Sequence, residues 1–72
     1  MSFDYNKLRG RIREKFGTQE RFANAMGMAK TTLSFKLNNK VTWTQQEINL
    51  ACKLLLIKDE MVTAYFFNEK VQ

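Results

Sequence analysis

The stretch T18-Q-E-R-F-A-N-A-M-G-M-A-K-T-T-L-S-F-K-L-N-N-K40 decides the fold. Thr18 suits the cap of a short helix over about 18–25, and Phe22, Ala23 and Met26 recur on one helical face. Ala23 is small enough to let that helix cross a neighbour closely. Gly27 supplies the positive φ of a turn at little steric cost. Leu33 and Leu37, four apart, anchor a second helix over about 29–38. They leave Lys30, Thr31, Ser34, Phe35 and Lys36 facing out or sideways. Asn38-Asn39 suits its end, because Asn tolerates the left-handed conformation better than most residues.

The flanks supply what such a pair of helices needs. Before it, Asp4 is placed to cap a first helix, and Phe3 and Leu8 stand at the positions of a hydrophobic staple. Tyr5, Leu8, Ile12 and Phe16 form its apolar side, and Gly17 is suited to end it. Gly10 disfavours this helix by about 1 kcal/mol relative to Ala, explained by either a close crossing or simple tolerance. After the pair, Thr44-Gln45-Gln46-Glu47 is a full capping box, with Trp43 and Ile48 as its staple. Ile48, Ala51, Cys52 and Leu55 make the buried stripe of that helix. A last helix is expected over about Asp59 to Glu69, with Met61, Val62, Tyr65, Phe66 and Phe67 on a wide apolar arc. It either packs on the first helix or forms part of a dimer or partner interface. The expected architecture is all-α: one domain over 1–72, a compact five-helix bundle.

Composition narrows the functions. With 72 residues, one Cys and no His, the chain has no internal disulfide, and a structural metal is not expected. Cys52, beside Ala51 on an apolar helix, reads as a buried reduced thiol in a reducing cytoplasm. No apolar run approaches the roughly 20 residues of a membrane span, and the opening Met1-Ser2-Phe3-Asp4 does not read as a signal peptide. Without His, a metal cluster or a glycine-rich phosphate loop, an enzyme is not expected, nor a cofactor or small-molecule substrate. Positive charge is concentrated: residues 1–40 hold nine Lys or Arg against Asp4, Glu14 and Glu20, a net +6, whereas residues 41–72 sum to −1. A polyanion-binding face would need that asymmetry; a face kept basic for solubility is the plainer alternative.

Two short helices about a tight turn, the second polar and basic outside, is the layout of a helix-turn-helix, whose second helix lies in the major groove of DNA. Thr18-Gln19, Phe22-Ala23, Gly27, Thr32-Leu33-Ser34 and Leu37-Asn38-Asn39-Lys40 resemble the lambda-repressor-like, or Xre/Cro, helix-turn-helix family. Counting the flanking helices, the likeness covers nearly the whole chain. Ser34–Lys40, Trp43–Ile48 and Tyr65–Phe67 are similar to small phage-encoded members from Gram-positive hosts. The resemblance implies a cytoplasmic regulator of the lytic/lysogenic switch that binds double-stranded operator DNA and acts with the phage repressor. The alternative is an interaction protein that binds the repressor with little DNA readout of its own.

The resemblance implies that Gln19 meets a phosphate, that Lys30 and Thr31 reach base edges, and that Ser34, Phe35 and Lys36 follow on the exposed side. Asn38, Asn39 and Lys40 would return to the DNA backbone. Three residues depart from the family pattern. Ala29 stands where a Ser or Thr cap is usual. Leu37 replaces a Glu that often pairs with an Arg of the first helix. Phe35 occupies a place often given to a polar base reader and suits a protein interface better. Candidate partner contacts are therefore Phe35, Lys36, Tyr65 and Phe66. A monomer this small reads only a short half-site, so a homodimer or a partner chain would be needed for strong specificity.

Overall fold

The computed structural model describes residues 2–70. Five helices follow in order: α1 (Asn6–Phe16), α2 (Gln19–Met26), α3 (Lys30–Leu37), α4 (Gln45–Leu55) and α5 (Val62–Phe66), the last preceded by a 3₁₀ turn over Asp59–Met61. The described residues contain no strand, only a single antiparallel bridge between Phe3 and Glu69. The all-helical expectation is met.

One core gathers Leu8 and Ile12 of α1, Phe22 and Ala23 of α2, Leu33 and Leu37 of α3, Ala51 and Leu55 of α4 and Phe66 of α5. Thr18 caps α2 by accepting the Arg21 N–H at 3.2 Å. The capping box of α4 is complete. Thr44 Oγ1 accepts from Glu47 N–H at 3.1 Å, and Glu47 Oε1 accepts from Thr44 N–H at 2.9 Å. Cys52 is buried, as expected, and burial followed by the negative charge of Asp59 pushes its thiol pKa up.

Three helices end in one motif. After α2 the Gly27 N–H reaches Asn24 O and the Met28 N–H reaches Ala23 O. After α3 Asn39 and Lys40 repeat this on Lys36 O and Phe35 O, and after α4 the Ile57 N–H reaches Cys52 O. The motif needs one left-handed residue, which is Gly27 (φ 75°), Asn39 (φ 63°) or Leu56 (φ 56°). Glycine tolerates this freely and Asn moderately, but for Leu the conformation costs about 1 kcal/mol or more. Leu56 is also 68% exposed, so its side chain recovers little by packing.

Two boundaries differ from expectation. α1 starts at Asn6 with Tyr5 in the cap position, although the Asp4 carboxylate still accepts the Asn6 N–H at 2.8 Å. The last helix is not continuous over 59–69. Its C-terminal residues leave the helix because their main chain pairs with the start of the protein: Asp4 N–H donates to Asn68 O at 2.6 Å and Lys70 N–H to Ser2 O at 3.1 Å. α5 packs against α1, as one of the two expectations for it had it.

Gly10 has no close crossing to explain it, since a Cβ built there meets nothing within 4 Å. Gly10→Ala is therefore expected to raise unfolding free energy by about 0.5–1 kcal/mol. Leu56→Gly is expected to raise it by a similar amount, on the order of 0.5–1 kcal/mol, by relieving the left-handed backbone. Urea melts of the two single variants check both, and a lower midpoint for either contradicts the backbone account.

Candidate functional site

α3 is held by Leu33 and Leu37, which point into the core. Lys30, Thr31 and Phe35 are exposed, with Phe35 44% accessible. Lys36 is not on this surface. It shares the inward face with Leu33 and Leu37 by helical spacing and is only 4% exposed. Its ammonium donates to Thr42 O at 2.9 Å and pairs with Glu47 Oε1 at 2.8 Å, while lying 6.0 Å above the Trp43 ring. The expectation that Lys36 contacts DNA or a partner is corrected. A buried ammonium must keep its acceptors, and all of them lie inside the fold.

The end of α3 is also turned inward. Asn39 accepts the Phe3 N–H on Oδ1 and donates from Nδ2 to Phe3 O, both at 2.9 Å. Its amide thus pairs with one edge of residue 3, whose neighbours Ser2 and Asp4 bond the C-terminal segment. Asn39 therefore acts as a clasp and does not offer its amide to DNA. Asn38 donates to Ser34 O at 2.9 Å and to Ser34 Oγ at 3.3 Å, and accepts from Arg9 at 3.0 Å. Arg9 also donates to Leu37 O at 2.8 Å, so a first-helix Arg still meets position 37, now through the main chain. Lys40 is exposed.

Two grooves of contrasting chemistry bear on partner binding. The first, about 600 Å³, lies over Gly10 and is lined by Arg9, Arg13, Gln19, Glu20 and Lys30 at the start of α2. Helix N–H groups, three cations and Gln19 make it suitable for an anion, with Glu20 the opposing charge. Of the expected nucleic-acid contacts, it brings together Gln19 and Lys30.

The second groove, about 220 Å³, is lined by Phe3, Tyr5, Val41, Trp43, Ile48, Phe66 and Phe67 among others. Trp43 meets Phe66 edge-on at 5.1 Å, and Phe3 meets Phe67 edge-on at 5.9 Å. Phe66 is buried, so the expectation of an exposed partner contact there is corrected to a place in the wall behind this groove; the exposed aromatic at the end of α5 is Phe67, at 46%. Tyr65 is half-buried beneath the Lys7 ammonium, 5.2 Å from its ring centre. The Trp43 indole N–H is buried with no acceptor among the described residues. No group of three or more His, Cys, Asp or Glu residues among the described residues could hold a metal, and no described helix is long and apolar enough to cross a membrane.

Residues 1–69 match the family described as Protein of unknown function (DUF739). The fold is similar to the solution structure of the modulator of repression of the temperate bacteriophage TP901-1 from Lactococcus lactis. The TM-score is 0.82 and the identity 50%, over 100% of this chain and 97% of that one. No curated protein matches.

The Lys36–Glu47 pair makes stability depend on pH. Burial pushes the Glu47 carboxyl pKa up, but hydrogen bonds from Lys36 and Thr44 and the Lys36 charge outweigh it, so the net shift is downward from 4.5. A carboxyl lowered in the folded state stabilises fully above its unfolded value and loses that contribution as pH falls through the folded one. The wild type should therefore lose stability below about pH 5, and Glu47→Gln should show a flatter profile there. Lys36→Ala is expected to cost about 2–3 kcal/mol at pH 7, less than a fully buried pair because Glu47 keeps some solvent contact. Thermal melts between pH 3 and pH 7, roughly spanning the carboxylate range, check this; parallel profiles would refute it.

Proposed function

We propose that this chain, which belongs to the DUF739 family, modulates repression in a temperate phage by binding the phage repressor and changing its hold on its operators. The observation that carries the reading is likeness to a modulator of repression over the full length, at half identity and with the same fold. In this reading α2, the turn at Gly27 and α3 form a helix-turn-helix used first for protein contact. Support comes from what α3 offers. Lys36 is withdrawn, Asn38 and Asn39 are engaged internally, and an aromatic, Phe35, stands exposed in the middle of the helix. Aromatic anchors are favoured at protein interfaces, and a base-reading helix relies on polar side chains. Such a protein acts in the bacterial cytoplasm, where repressor and operator are found.

A second reading, direct operator binding in the manner of the Xre/Cro family, is favoured by one observation. The groove over Gly10 collects Arg13, Lys30 and Gln19 on the half of the chain with net +6. A homodimer belongs to this reading, because one copy spans only a half-site.

Size-exclusion chromatography with light scattering, on the chain alone and mixed with its cognate repressor, tests the first reading. A heteromeric complex is expected; its absence with and without operator DNA overturns the reading. Titration of operator DNA at two salt concentrations tests the second, which requires affinity to fall steeply as salt rises. Phe35→Ala separates them: loss of repressor binding with unchanged DNA binding is the expected result.

A further inference from the structure

We infer that the aromatic groove formed by Phe3, Val41, Trp43, Phe66 and Phe67 receives an uncharged apolar side chain of the repressor. This rests on the repressor-binding reading and assigns it a place. The volume of about 220 Å³ falls below the roughly 300–1,000 Å³ of pockets for small-molecule ligands, and suits one side chain. No Lys, Arg, Asp or Glu lines it, although such residues form 26% of the chain. Depletion of charge with enrichment of aromatics marks the centre of a protein interface.

The rim is accessible. Val41 is 41% and Phe67 46% exposed, and the walls behind them, Trp43 and Phe66, are half-buried and buried. The Val41 N–H bonds the Phe35 carbonyl at 3.3 Å, so the rim continues through the main chain into the helix that carries Phe35. Charge chooses between the two grooves. A repressor that grips DNA carries positive charge of its own, and the groove over Gly10 presents Arg9, Arg13 and Lys30 to it. The aromatic groove presents no cation. Trp43 lines this groove, and its indole N–H lies buried behind it with no acceptor among the described residues.

Trp43 is the one Trp of the chain, so a ¹⁵N-labelled sample gives a single indole resonance. Titrating the labelled full chain with unlabelled cognate repressor should shift that resonance. Val41→Ser and Phe67→Ser should each weaken binding by about tenfold, as truncations of interface anchors do. Both positions are well exposed, and circular dichroism verifies that the variants fold. Leu50→Ser, an exposed apolar change on α4 outside the groove, should leave affinity unchanged. If the complex forms but the indole resonance stays fixed and both Ser variants bind like the wild type, the groove assignment is overturned while repressor binding stands. If the wild type forms no complex at all, the repressor-binding reading itself fails and takes the groove with it.

Discussion

The ammonium of Lys36, closed off from water, joins three parts of the chain by one charge: α3, which carries it, the 41–44 segment through Thr42 O, and α4 through Glu47. An exposed ion pair would contribute little, because solvent and side-chain freedom offset it. Here the carboxylate also closes the capping box of α4, so one oxygen meets both the Thr44 N–H and the Lys36 charge. The angle at which α4 leaves the 41–44 segment is thereby tied to the position of α3. The aromatic groove depends on this tie, since Trp43 lies under the Lys36 ammonium and Val41 and Thr42 form the same short segment. A side chain that the sequence places on the surface thus positions the surface from beneath.

How far the fold was legible follows the range of the interactions. Thr18, Gly27 and the Thr44–Glu47 box announce themselves because capping is settled within four residues. The left-handed Asn39 was legible for the same reason. Leu56 performs the equivalent task with no signal at all, since nothing about Leu suggests a left-handed residue. The Leu33, Lys36, Leu37 spacing did contain the burial of Lys36, but a Lys is almost never buried without a partner, and Glu47 is eleven residues away. The hydrogen bonds of Asn39 to Phe3 cross half the chain and leave no local mark. At the C-terminal end, three residues of 3₁₀ helix advance the phase before α5 begins, which puts Phe66 inside and Phe67 outside.

The candidate site was legible by kind more than by residue. Charge asymmetry pointed to a basic face, and the groove over Gly10 does bring Arg13, Gln19 and Lys30 together. Phe35 is exposed as its unusual place on α3 suggested. The aromatic groove could not be read, because it draws on residues 3, 41, 43 and 66–67, which meet only in three dimensions. The groove over Gly10 and the aromatic groove are thus dissimilar, the first mainly cationic and the second aromatic and uncharged. Salt acts strongly on contacts at the first and weakly at the second.

The pairing of residues 2–4 with residues 68–70 sets both ends of the described chain beside the aromatic groove, which Phe3 and Phe67 line. A peptide joined through a short flexible linker to either end is thus delivered to that groove as an intramolecular ligand. Its effective concentration there would be on the order of millimolar. A segment too weak to be held from solution would occupy the groove in such a fusion, and so keep a competing partner out.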